Sequence, residues 1–100
     1  MTPNLNPTQK RYLRGLAHVL KPVVLVGGKG ITEGVVAETA AALEIHELVK
    51  LKVAAEDRAA RDLAIDRLLE ATQAALVARI GHVAVFYRPR AEQPLIALPR

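Results

Sequence analysis

The chain has 100 residues, of which 51% are hydrophobic and 24% charged, with a net charge of +4 at pH 7. That length suits one domain of residues 1–100 and one ordinary core, and is too short for two domains. The absence of cysteine excludes disulfides and thiolate metal sites and fits a reducing compartment, while apolar runs such as Pro22–Val26 are far too short to cross a bilayer.

Charge is unevenly distributed. Residues 1–32 carry five bases (Lys10, Arg11, Arg14, Lys21, Lys29) and no acid, whereas residues 33–70 carry nine acids against five bases. The pattern points to a directed basic surface. The polar, proline-broken segment Met1–Pro7 has no secretory apolar core, so a soluble cytoplasmic protein is expected.

In chain order, Asn6-Pro7-Thr8-Gln9 is a helix start, with Asn6 as cap, Pro7 in the first turn and Gln9 as capping-box partner. Leu13, Leu16 and Leu20 share one face of the predicted helix, with Tyr12 at its edge and read as core. Arg11, Arg14, His18 and Lys21 fall opposite, beside Lys10, and Pro22 ends the helix. Val23–Val26 is β-branched without polar alternation, the pattern of an interior strand buried on both faces. Thr32 caps a second helix to about Ile45; Leu48–Val53 alternates, with Val49, Leu51 and Val53 inward and Lys50 and Lys52 outward. Glu56-Asp57 opens a third helix, about Arg58–Ala71, with Ile65, Leu68 and Leu69 toward the core. Leu76–Ile80 and Val83–Tyr87 flank Gly81-His82, which fits a type II′ hairpin. Pro89 ends the last strand, and Leu95–Leu98 either packs as an edge segment or stays loose. The core is expected over about residues 5–90, followed by a short C-terminal tail. The order α-β-α-β-α-β-β defines an α/β domain with a mixed four-stranded sheet.

Between the first strand and second helix lies "VGGKGIT". Glycines let a ligand approach the backbone amides, the following helix start adds free N–H groups, and Lys29 adds a charge, so the loop suits a phosphate. A Walker A loop is excluded because Lys29 is followed by Gly30 rather than Ser or Thr. The dinucleotide fingerprint matches only at Gly28 and Gly30, with Glu33 at its third glycine, and its acidic ribose partner would fall near Lys50 and Lys52. Gly27-Gly28-Lys29-Gly30 fits G-x-x-G, the backbone-clamping loop of some RNA binders, although an ordinary turn has the same pattern. An anion- or nucleotide-binding protein remains an alternative, as does an adaptor gripping an acidic protein.

The stretches "LRGLAHVLKPVVLVGGKGITEGVVAE", "HELVKLKVAAEDR" and "IGHVAVFYRP" together resemble the CRM domain. In particular they resemble its free-standing bacterial YhbY-like form, associated with precursors of the large ribosomal subunit, over roughly residues 5 to 99. The resemblance implies a compact α/β domain with a mixed four-stranded sheet, no catalysis, and RNA binding through the G-x-x-G loop and adjacent basic surface. Carried over, Gly27 and Gly30 are the loop glycines, Lys29 the loop cation, and Arg14 and Lys21 cations of the first helix. The expected RNA site is Arg11, Arg14, His18, Lys21, Gly27, Gly28, Lys29 and Gly30. The expected partner is rRNA of large-subunit precursors, bound by a monomer, with no DNA and no membrane.

No cofactor is expected, and neither a metal site nor an enzyme. His18 lies among cations, His46 ends the second helix with Glu47 pointing away from it, and His82 sits at the hairpin tip. Asp57, Asp62 and Asp66 recur beside Arg58, Arg61 and Arg67, as on a solvated helix. No nucleophile motif is present. Phe86 and Tyr87 are expected on opposite sides of the sheet, Tyr87 and Arg88 being candidates for stacking and charge. The scarcity of aromatics favours contacts to RNA backbone and shape.

Overall fold

The computed structural model describes residues 2–100. Its elements are α1 (Pro7–Ala17), β1 (Val24–Val26), α2 (Glu33–His46), β2 (Leu48–Val53), α3 (Arg58–Thr72), β3 (Ala75–Ile80) and β4 (Val83–Tyr87). The strands form one sheet in the order β1-β2-β4-β3, with β1 parallel to β2 and the other pairs antiparallel. The α/β class and the element order are as the sequence predicts. Among the described residues no helix is long and apolar enough to cross a membrane.

Period-two alternation sorts the sheet's side chains into two layers. Val24, Val26, Val49, Leu51, Val53, Ala84 and Phe86 pack under α2 and α3 with Leu43, Ile65 and Leu68. On the other side, Leu48, Val77, Val85 and Tyr87 pack with Leu13 and Ala17 of α1, joined by Ile96 and Leu98 from the tail. Phe86 and Tyr87 thus face opposite ways, and both are buried. Fully burying such a side chain contributes about 1.5–3 kcal/mol, so both layers matter to stability.

Local chemistry fixes the helix starts. The Asn6 side chain accepts from Gln9 N at 2.8 Å while Gln9 Oε1 accepts from Asn6 N at 3.0 Å, closing the capping box. Thr32 Oγ1 accepts from Val35 N and Asp57 Oδ1 from Ala60 N. At the hairpin, Gly81 has φ +57° and His82 stays out of the left-handed region, the sign pattern of a type II′ turn.

Three expectations are corrected. The first helix stops at Ala17 rather than at Pro22, and His18 is its C-cap. Proline has no N–H to bond the His18 carbonyl, and it disfavours helical backbone at Lys21. Lys21 therefore follows the helix, and Leu16 and Leu20 are partly exposed instead of core, as is Tyr12 at 43% exposure. Strand β1 is an edge strand with one wet face: Leu25 is 67% exposed and Val23 also lies open. Finally, Glu47 does not sit on the helix pointing away from His46; it is the C-cap of α2, with φ 63° and ψ −41°, and is completely buried.

The tail packs without forming a strand. Glu47 carboxylate oxygens accept from the backbone N–H groups of Arg90 (2.6 Å), Leu95 (2.8 Å) and Ile96 (2.7 Å), and Gln9 Nε2 donates to Pro99 O at 3.0 Å. Tyr87 lies beneath it; burial first, and the Glu47 charge second, raise its phenol above the ordinary 10.0. A folded-state pKa raised above the unfolded value means that the contribution is complete below pH 10 and lost as pH rises through the folded pKa. Urea midpoints should therefore hold up to about pH 10 and fall beyond it, and Tyr87→Phe should flatten that fall.

Candidate nucleic-acid interface

The glycine loop follows β1 directly. Gly30 N donates to Gly27 O at 3.0 Å, closing a turn in which neither Gly28 nor Lys29 has positive φ, the type I pattern. Gly30 has φ +74°, so glycine is required there by conformation. Gly27 and Gly28 have ordinary φ, and a Cβ at either would meet nothing within 4 Å. The fold does not ask for glycine at those two positions.

Gly27, Gly28 and Lys29 are exposed and Gly30 half-buried; Arg11, Arg14, His18 and Lys21 are all exposed. The structure does not gather these residues at one point. Lys21 precedes β1 and Gly27 follows it, so at about 3.3 Å per residue the two lie roughly 20 Å apart along an extended run. Two residues left out of the sequence-predicted site fill the interval. Lys50 and Lys52 leave β2 on the side that carries α1, and Lys50 Nζ donates to Leu20 O at 3.1 Å, at the corner between α1 and β1. Lys52 is exposed, and its register partner on β1 is Leu25. Their alternation with Val49, Leu51 and Val53 was visible in sequence; their alignment with Lys21 and Lys29 required the β1–β2 pairing.

The electrostatics are one-sided. Helix α1 and all four strands contain no acidic residue. Glu33, Glu38 and Glu44 sit on α2, Asp62, Asp66 and Glu70 on α3, and Glu56 and Asp57 just before α3. Of the other two acids, Glu47 is buried and Glu92 belongs to the tail. The ion pairs among the described residues join Arg79 to Asp62 and Arg88 to Glu44, which turns both arginines toward the α2–α3 layer. Among the described residues, none of Lys10, Arg11, Arg14, Lys21, Lys29, Lys50 and Lys52 has an ion-pair partner. A polyanion therefore meets uncompensated cations on the α1 side and a largely acidic layer on the other.

Tyr87 and Arg88 are not part of such a surface. Tyr87 is 3% exposed. Arg88 is a clasp between helices, donating to Thr72 O (2.8 Å), Ala40 O (3.2 Å) and Glu44 Oε2 (3.2 Å). At the hairpin tip, Arg61 Nη1 donates to His82 Nδ1 at 3.1 Å. Among the described residues, no three His, Cys, Asp or Glu side chains are grouped to hold a metal ion.

Fold and surface together define a small three-layer α/β domain with a glycine turn on an edge strand and cations on one side of the sheet. The chain belongs to the CRS1/YhbY (CRM) domain family, whose model matches residues 5–88. It is 52% identical over 96 residues, 96% of each chain, to a Haemophilus influenzae protein named RNA-binding protein. It is 34% identical over 95 residues, 95% of this chain and 99% of the other, to the Bacillus subtilis protein named Probable RNA-binding protein YqeI. Among solved structures, a hypothetical protein of Staphylococcus aureus matches with a TM-score of 0.82 and 38% identity, covering 96% of this chain and all of the other.

Proposed function

We propose that this protein binds RNA with its α1 side, using the unpaired cations Arg11, Arg14, Lys21, Lys50 and Lys52 together with the loop Gly27–Gly30. The observation that carries this reading is the segregation of charge: cations without ion pairs on a side whose helix and strands contain no acid. The names of its relatives agree with it. Phosphate contacts from lysine and arginine supply affinity, and the glycines let backbone amides reach a phosphate. With Glu33 in the first turn of α2 offsetting the dipole there, Lys29 is the main cation at the loop.

The resemblance to YhbY-like proteins extends the reading to rRNA in precursors of the large ribosomal subunit, in the cytoplasm. The role is that of an assembly factor without catalysis. Sedimentation of a cell extract on a sucrose gradient, with and without ribonuclease, tests it. The protein should travel with large-subunit precursors and return to the top after ribonuclease. Remaining at the top in both samples contradicts the ribosomal role.

The glycines give a separate test. Gly27→Ala and Gly28→Ala should leave stability unchanged or raise it by about 0.4–1 kcal/mol, because alanine restricts the unfolded chain and fits the native φ, yet both should weaken RNA binding. Gly30→Val should cost about 1–3 kcal/mol through positive φ. Thermal melts beside filter binding separate the two effects. Unchanged RNA affinity in both alanine variants would make the turn a purely structural feature.

A further inference from the structure

Helix α1 covers only part of its side of the sheet. Leu13 and Ala17 cap Leu48, Val77, Val85 and Tyr87, but the end of the sheet next to the glycine loop is bare. There the register aligns Leu25 with Lys52, Lys52 with Val83, and Val83 with Ile80. Directly opposed residues share a face, so these four side chains form one row across all four strands. Leu25 is 67% and Ile80 69% exposed, Lys52 is exposed and Val83 half-buried. The row starts two residues before Gly27 and ends beside Gly81.

We propose that the row Leu25–Lys52–Val83–Ile80 is a subsite for unpaired nucleobases of RNA whose backbone is held by Lys29, Lys50 and Lys52. The inference rests on the RNA-binding reading and adds to it a preference for single-stranded segments. Three observations select this occupant. First, the cations nearest the row, Lys29, Lys50 and Lys52, have no ion-pair partner, and the strands that carry it contain no acid, which suits a polyanion. Second, the row is about 14 Å long, three strand spacings, and is flanked on its own face by the open Val23 at the β1 end. A stable protein interface needs about 800 Å² per partner, whereas one or two flat bases need only such a strip. Third, Lys52 lies on β2, which is paired on both sides, so it is not there to guard a sheet edge against aggregation.

Aliphatic side chains contact any base face without reading its edge, so the subsite tolerates sequence. Bases inside a duplex are stacked and out of reach, so it distinguishes unpaired from paired RNA. Lys52 contributes its stem to the apolar row and its ammonium to the phosphate.

Leu25→Ser and Ile80→Ser, singly and together, test the proposal on a short single-stranded oligoadenylate and on a blunt RNA duplex, each at several salt concentrations. Both positions are exposed, and circular dichroism checks the fold. The double variant should lose about fivefold in affinity for the single strand, from apolar contact alone, and nothing for the duplex, with an unchanged salt slope. Lys52→Ala should instead lower the slope on the single strand by about 0.7. If the double variant bound the oligoadenylate as wild type does, the row contacts no bases and the proposal is overturned while RNA binding stands. If wild type bound neither RNA, the broader reading fails with it. Methyl resonances of Leu25, Val83 and Ile80 in wild-type protein give a readout that needs no variant. They should move on adding oligoadenylate while those of Leu43 and Leu68 stay, and no movement would count against the proposal.

Discussion

Glu47→Ala should lower stability by about 3 kcal/mol and release the chain beyond Pro89, Arg88 remaining clasped to α2 and α3. The Glu47 carboxylate accepts three backbone hydrogen bonds, all from residues 43 to 49 positions away in sequence. Its own carbonyl accepts from Arg88 N at 2.9 Å. Hydrogen bonds to a charged group contribute about 1.5–3 kcal/mol each. Their sum overstates the loss, since the freed amides of Arg90, Leu95 and Ile96 regain water once the tail lifts. Lifting it also uncovers the layer that Ile96 and Leu98 help close.

The backbone sharpens this expectation. At φ 63° and ψ −41°, Glu47 is close to the rare γ-turn region, where a residue with a Cβ is strained. Glu47→Gly should therefore recover about 1 kcal/mol relative to Glu47→Ala, because it loses the same carboxylate but not the same backbone comfort. Urea denaturation gives the free energies, and amide exchange at residues 90, 95 and 96 shows whether the tail is free. A loss under about 0.5 kcal/mol in Glu47→Ala, the range of an ordinary surface change, would mean that the tail holds without its anchor.

The largest functional effect belongs to the cations. Replacing Arg14, Lys21, Lys29 and Lys52 together by alanine should reduce RNA affinity about a thousandfold near 0.1 M salt and lower the salt slope by roughly three, taking about 0.7–0.9 per phosphate contact. All four are exposed and none is in an ion pair, so the fold should be retained. The change also removes the whole net charge of +4, and a charge-matched control is needed. Arg58→Glu with Arg67→Glu on α3 lowers the net charge equally on the opposite layer and should change affinity far less. Equal losses in the two variants would reduce the surface to a general charge effect.

Much of this architecture can be read from the chain because local chemistry and side-chain period agree. Asn6, Thr32 and Asp57 each start a helix with a side-chain acceptor, and β2 alternates cleanly. Apart from the early end of α1 before Pro22, which is local, the failures share a physical origin in long-range contacts. Val23–Val26 carries the same apolar run whether a strand lies inside a sheet or on its edge, and only pairing partners decide. Leu16 and Leu20 have helical spacing from Leu13, but α1 ends at Ala17 and packs mainly against β2 and β3, which leaves both leucines partly exposed. Glu47 reads as a helix-end acid, and nothing nearby in sequence reveals that the amides it anchors lie beyond residue 89. Arg88 beside an aromatic looks like a nucleic-acid contact until α2 and α3 converge on it. For the candidate surface, the charge asymmetry is visible in composition, and the topology turns it into two opposite layers. Lys50 and Lys52 join it only because β1 and β2 are neighbours.

The most direct measurement is ultraviolet cross-linking of the protein to RNA in living cells, followed by mass spectrometry of the nucleotide-bearing peptides. The adducts should fall within residues 10–30 and 48–53, covering the α1 cations, the glycine loop and the lysines of β2. Adducts concentrated in residues 58–72, on the α3 layer, would contradict the assignment of the α1 side as the RNA-binding surface.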